Sequence, residues 1–383
     1  MLRQNGGYVM ERLAVVQMLA ASIAMMLLGP DGPAMGQQPP AGSTAQSSYS
    51  TTRVFFVTNR QPTAPRTTFG IKWRHEFGSR RGTAEFGIAE VTLPDIREPY
   101  TVPRPMTNLG KQDPARHTIV TNVSGSTRDE FFRALNAAVS GQQNRRIIVF
   151  VHGFNTGFAE PIYMLAAIRA DLGHPVVMFS WPSHGNLYDY QADQTAAEWS
   201  QADLSALLRD IFARLPGTPI TLAAHSLGTR MSMAVLKDLV ADGQTSKAAQ
   251  AIDELVLAAP DFDVDTFIRD YARLATSRRT SLFFSQSDLA LAMSAQFHRA
   301  DRLGNQPPHK LDLPASINKI DLSALRSNWL GHSYHRSAIY LTRALQSQFP
   351  KDRISIERFK LDVVPMIMGN DRFWRVEPQV KSQ

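Results

Sequence analysis

The 383-residue chain contains no cysteine. Disulfides, thiolate metal sites and cysteine nucleophiles are therefore excluded, and the fold must rest on its core. A long uninterrupted apolar run is also missing. Leu13 to Leu28 is broken by Gln17 and Ser22 and falls short of the ~20 residues that a spanning helix needs. Basic residues outnumber acidic ones by 41 to 34, a net charge of +7. They are scattered, in short runs such as Arg80-Arg81 and Arg278-Arg279, which is not a nucleic-acid footprint. The surplus serves solubility or favours anionic surfaces. No internal repeat is visible. With 43% hydrophobic and 20% charged residues, the composition suits one large α/β domain with additions.

Residues 1–36 read as an export signal. Arg3 and Arg12 supply the positive start, Pro30, Gly32 and Pro33 break any helix, and Ala34-Met35-Gly36 offers a small-x-small cleavage site. Met10 is an alternative start, and an uncleaved anchor is the competing reading. The expectation is an exported protein, periplasmic or secreted, with no stable membrane span once the signal is removed. Residues 37–50, rich in Gln, Pro, Ser, Thr and Gly, have the composition of a disordered linker. The folded domain is expected over 51–383.

Strands are expected at 53–58, 86–93 and 117–123, without long helices between them. This predicts an N-terminal antiparallel extension at one sheet edge. A helix follows over 127–140. Arg146-Ile147-Ile148-Val149-Phe150-Val151 is then continuously apolar, as in a strand buried on both faces. From here strands (146–151, 176–180, 220–224, 254–259, 280–285, near 319–322) alternate with helices (159–171, 193–214, 228–241, 264–274, 335–348). Such alternation predicts a mostly parallel sheet with helices on both faces. A short strand is expected within 353–360.

The chemistry centres on Ala224-His225-Ser226-Leu227-Gly228. An apolar strand ends at Ala224 and a helical pattern begins near Gly228, so Ser226 sits at a strand-to-helix turn. This is the setting of a G-x-S-x-G nucleophile, with Ala224 in place of the first glycine. A serine needs a base, an orienting acid and an oxyanion hole. His152-Gly153-Phe154-Asn155 follows the strand 146–151, so the Phe154 N–H and the Leu227 N–H are the candidate oxyanion donors. Asp288, after the strand 280–285, and Asp261, after the preceding strand, are the candidate acids. A base later in the chain than the acid points to His332 or His335, of which His332 suits a loop imidazole better. His225 is expected to face away from the reaction. Asn155, Trp181 and Tyr188 are expected to line the cleft mouth, and residues 182–200 and 289–330 to form a cap. Asp261-x-Asp263-x-Asp265 lacks the glycine and distant glutamate of a calcium loop, so turn formation and helix capping are its simpler roles. No cofactor or metal is expected.

Taken with Val54-Phe55-Phe56-Val57-Thr58-Asn59-Arg60, Phe179-Ser180-Trp181-Pro182-Ser183, Leu257-Ala258-Ala259-Pro260-Asp261 and Gly331-His332-Ser333-Tyr334, these pieces cover residues 53–350 in order. The chain resembles a bacterial α/β-hydrolase family of esterase- and lipase-like proteins of unknown function. The resemblance implies an α/β-hydrolase fold and a serine triad, with Ser226 as nucleophile, His332 as base and Asp288 as acid. The expected activity is cleavage of a small-molecule carboxylic ester through an acyl-enzyme. A lipase, thioesterase or amidase on the same triad, and a non-catalytic envelope-associated binding protein, are the alternatives. Substrate and oligomeric state are not specified.

Overall fold

The computed structural model describes residues 48–63, 67–68, 71–72, 76–97, 101–103, 112–142, 145–184, 189–306, 312–325, 335–345, 350–369 and 371–379. Contacts divide the chain into units Met1–Gln46 and Ser47–Gln383, and every described residue belongs to the second. The expected signal, most of the expected linker, Tyr188 and His332 lie outside the described residues.

The strands are β1 (Tyr49–Thr63), β2 (Thr67–Thr68), β3 (Ile71–Lys72), β4 (Glu76–Pro94), β5 (Ile119–Ser126), β6 (Ile147–Val151), β7 (Val176–Ser180), β8 (Ile220–His225), β9 (Ile252–Ala258), β10 (Arg279–Phe284), β11 (Ile317–Asp321), β12 (Ile354–Ile356), β13 (Leu361–Met368) and β14 (Asp371–Pro378). The described helices are α1 (Arg128–Ser140), α2 (Glu160–Leu172), α3 (Tyr190–Trp199), α4 (Gln201–Arg214), α5 (Leu227–Ala241), α6 (Val264–Asp270), α7 (Ala272–Thr276), α8 (Leu289–His298) and α9 (His335–Ala344). Twelve strands form one sheet in the order β12-β13-β14-β11-β10-β9-β8-β6-β7-β1-β4-β5.

The centre of the sheet is parallel, as expected, and its strands are buried on both faces. Ile147, Val149 and Val151 of β6 point to the side covered by α1, α4 and α5. Ile148 and Phe150 point to the side covered by α2 and α9. Both faces are apolar because each carries helices, so no polar alternation survives in these strands.

The N-terminal extension is longer than expected. β1 pairs antiparallel with β4 and parallel with β7, and so joins it to the central sheet. Tyr49 and Ser50 already belong to β1, so the strand takes over the last residues assigned to the linker. The expected helix 193–214 is two helices, α3 and α4. They break at Ser200, which is buried and whose Oγ donates to Ala196 O at 2.7 Å. Helix α1 opens with the capping box Thr127/Glu130, which satisfies donors at its free end.

At the far edge β12 lies within the stretch 353–360 expected to hold a short strand, and β13 and β14 add a hairpin that was not expected, with β14 parallel to β11. Pro365 disguises β13, since proline argues against an interior strand. The structure accommodates it because β12 pairs only with Leu361–Val363, leaving β13 an edge strand at Pro365.

The chain passes from β6 to β7 on one side, then returns to place β8 on the other side of β6. This reversal opens a crevice at the carboxyl ends of β6 and β8, the place where open α/β sheets bind ligands. Val151 and Ala224 are register partners there.

Candidate active site

Ser226 occupies the turn between β8 and α5 with φ 51° and ψ −125°. A non-glycine residue there is strained by about 1–3 kcal/mol, and such strain persists only where the surroundings over-determine it. The surroundings do so here. The Ser226 N–H donates to Ala258 O at 2.9 Å, and its carbonyl accepts from the Thr229 N–H at 3.0 Å and the Thr229 hydroxyl at 2.6 Å. The Ser226 hydroxyl does not cap α5. Leu227 opens that helix, so its N–H has no intrahelical carbonyl and lies at the positive end of the dipole.

Space around the turn explains the small residues. A Cβ on Gly228 would stand 2.8 Å from Val151 O and closer still to His152 O. A Cβ on Gly153 would stand 2.8 Å from both the Ser226 Cβ and the His225 Nδ1. The loop after β6 therefore lies directly against the serine turn. His225 is nearly buried and packs against Gly153, which is a local role. Asn155 is exposed with φ 54°, a conformation asparagine tolerates, and its N–H reaches Asp193 Oδ2 at 3.4 Å.

Trp181 corrects an expectation. It is fully buried rather than at the mouth. Its ring stacks on His152 (4.9 Å, 13°), and its indole N–H donates to His152 O at 2.8 Å. An indole buried this way supports the loop and offers no face to a substrate.

Two loop supports escaped the sequence reading. Arg60, at the end of the buried half of β1, is 1% exposed. Its Nε donates to Ser180 Oγ (2.9 Å), Nη1 to Gly78 O and Ser183 O (3.0 Å each), and Nη2 to Thr156 O (2.7 Å) and His152 Nε2 (3.4 Å). Burial lowers the Arg60 pKa to about 9, with Asp193 opposing that shift, so the guanidinium stays cationic at neutral pH. Asp193, fully buried in the first turn of α3, accepts from Ser183 Oγ (2.5 Å) and from the His184 N–H (2.8 Å). The strand expected over 53–58 stops short of Arg60, whereas β1 runs on to Thr63. The available signal was a cation closing an otherwise apolar buried strand.

The two candidate acids differ in their surroundings. Asp288 is fully buried after β10, and its Oδ1 accepts from the Leu291 N–H at 3.0 Å, capping α8. Asp261 sits after β9 and its carboxylate is occupied. Ser294 Oγ donates to Oδ1 at 2.7 Å, Tyr190 OH donates to Oδ2, and Arg302 Nε lies 3.7 Å from Oδ1. Burial and the adjacent Asp261 raise the Tyr190 pKa, which keeps that phenol a donor. Asp263 caps α6 through the Thr266 N–H, and Asp265 is exposed. The Asp261–Asp265 run is thus a turn and cap. Among the described residues no group of three His, Asp or Glu side chains could hold a metal ion, and no helix is long and apolar enough to cross a membrane. Of the two candidate bases, His335 opens α9.

A mostly parallel sheet, helices on both faces and a strained serine turn at the sheet's switch point define an α/β-hydrolase. The chain belongs to the family described as alpha/beta hydrolase of unknown function (DUF900), which it matches over residues 127–348, more than half its length. It is also similar to the uncharacterized protein alr1448 of Nostoc sp. (strain PCC 7120), at 38% identity over 64 residues, which cover 17% of each chain.

Proposed function

We propose that this chain is a serine hydrolase acting on carboxylic esters, with Ser226 as nucleophile, His332 as base, Asp288 as acid, and the Phe154 and Leu227 N–H groups as the oxyanion hole. The observation that carries the reading is the conformation of Ser226: a strained serine held at the head of α5, against the loop of Gly153. Asp288 is preferred to Asp261 because it follows β10, the second strand beyond the serine turn, where the acid of an α/β-hydrolase usually lies. In this mechanism His332 takes the Ser226 proton as Oγ attacks the ester carbonyl. The oxyanion is held by the two N–H groups, the alcohol leaves with the proton, and water then hydrolyses the acyl-enzyme.

A lipase-like preference for longer acyl groups is favoured by one feature. Phe154 contacts Tyr190 (5.2 Å) and Tyr190 contacts Phe297 (6.0 Å), beyond which Leu289, Met293 and Phe297 expose an apolar stripe on α8. We also propose export, on the basis of residues 1–36; a mature N-terminus near Gln37 supports it, and retention of residues 1–36 refutes signal cleavage. The functional test is turnover of p-nitrophenyl esters of graded chain length by the parent and by Ser226→Ala. Turnover that rises with chain length and disappears in the variant supports the reading. Turnover unchanged in Ser226→Ala sinks it, and a folded parent inert to every acyl donor leaves the binding-protein alternative in its place.

A further inference from the structure

We propose that Arg60 and His152 form a relay that aims the Phe154 N–H at the reacting oxygen, which makes both of them positioning residues for the oxyanion hole. The proposal rests on the serine-hydrolase reading above. It begins with the hydrogen-bond chemistry of arginine, which has five N–H donors and no acceptor. The 3.4 Å contact from Arg60 Nη2 therefore makes His152 Nε2 an acceptor and places the ring proton on Nδ1. His152 Nδ1 lies 2.9 Å from Gly153 O and so donates to it. The Gly153–Phe154 peptide is trans, since the described backbone has no cis bond. In a planar trans peptide the N–H points opposite the carbonyl. Drawing Gly153 O toward His152 thus turns the Phe154 N–H the other way, and holding one end of the peptide holds both.

The ring that does this is itself held. His152 is 1% exposed, stacked on Trp181, and its carbonyl is fixed by the Trp181 indole N–H. Arg60 spends all five donors, on Ser180 Oγ, Gly78 O, Ser183 O, Thr156 O and His152 Nε2. Three of those acceptors, His152 Nε2, Thr156 O and Ser183 O, lie on the loop of residues 152–156 and the segment after β7, and the other two, Ser180 Oγ and Gly78 O, lie on β7 and β4. Burying a guanidinium whose direct acceptors are all neutral is expensive, and the nearby Asp193 carboxylate offsets part of that cost through space. Lysine has three donors around one point and cannot reproduce the fork.

The test compares His152→Ala and Arg60→Lys with the full-length parent. Arg97→Gln is the stability control: Arg97 is part-buried and pairs with Asp171, but takes no part in the loop. Three readouts are used: the rate of fluorophosphonate labelling, the split between kcat and KM on p-nitrophenyl butyrate, and the ratio of kcat/KM for an ester to that for its thionoester. An N–H bonds a developing oxyanion more strongly than a developing thiolate, so misaiming the donor lowers that ratio, whereas general loosening does not. The relay predicts labelling and kcat lower by about 10–100-fold, KM within about threefold, and a smaller ester-to-thionoester ratio. Arg97→Gln, melting lower by a similar amount, keeps the parental kcat and ratio. Ser183→Ala removes the acceptor of the Thr156 N–H (3.1 Å) and one donor to Asp193 Oδ2 (2.5 Å) while leaving Arg60 and His152 in place, and serves as a second variant if the others fail to fold; it should show a severalfold fall of the same kind. Parental kcat and ratio in the folded variants, or an equal kcat loss in Arg97→Gln, overturn the relay alone. A folded parent that does not label overturns the serine-hydrolase reading and the relay with it.

Discussion

Replacing Gly228 with alanine tests the packing of the serine turn in a single atom. The new Cβ would meet Val151 O at 2.8 Å and His152 O closer still, whereas ordinary contact begins at 3.4 Å. Both obstacles are backbone, so one strand end must retreat from the other by more than half an ångström. Overpacking of this kind costs about 1–3 kcal/mol. The better helix propensity of alanine returns up to about 1 kcal/mol, less at the second residue of α5 than in mid-helix. The expected net loss is about 1–2 kcal/mol, read as a lower urea midpoint with an unchanged m-value. Activity should suffer more than stability. The displaced carbonyls begin the loop that carries Phe154, and a misplacement approaching 1 Å costs on the order of 10²-fold in rate. Gly157→Ala is the control, because no heavy atom lies within 4 Å of its added Cβ; it should stay within about 0.5 kcal/mol of the parent. Gly228→Ala with parental melting and parental turnover would refute the packing described for the turn.

Other outcomes follow from the same structure. Ser226→Gly should raise stability by about 1 kcal/mol while abolishing turnover, because glycine accepts the positive φ without strain; a lower melting temperature would contradict the strained turn. Asp288→Asn keeps a side chain able to cap α8 and should cut kcat by about 10⁴-fold with little change in melting. Asp261→Asn should instead lower the melting temperature and spare most of kcat, and the opposite pattern in this pair would move the acid to Asp261. His174 is held neutral to about pH 4, below its ordinary 6.5, by burial and by Arg343 and Arg146. The unfolded chain therefore takes up its proton first as pH falls. The contribution of His174 is complete above about pH 6.5 and is lost toward pH 4, so His174→Gln should flatten unfolding free energy against pH in that window; an unchanged profile would contradict it.

The central sheet was legible because strands buried on both faces are largely apolar runs, as at Ile147–Val151 and, Thr221 apart, at residues 220–224. The serine turn was legible because tight contact allows few residue types at Ala224, Gly153 and Gly228. The edges were harder. β14 holds Phe373 and Val376 as buried anchors among polar neighbours, and Pro365 masks its partner strand. Ser200, whose hydroxyl donates to Ala196 O one turn back, separates α3 from α4, and such back-bonding bends a helix without changing its apolar pattern. Arg60 and Asp193 were missed because polar residues far apart in sequence read as solvated until the fold buries them. Trp181 was misplaced for the converse reason: an aromatic residue beside a cleft fits its lining and its support equally well, and only burial separates the two.

The central claim is that Ser226 is an activated nucleophile. Its most direct test is to treat the full chain with a fluorophosphonate, digest it and locate the adduct by mass spectrometry. The account predicts a stoichiometric adduct on the peptide containing Ser226, absent from Ser226→Ala and formed far more slowly in His332→Ala. No adduct on the folded protein, or an adduct on a different residue, would contradict it.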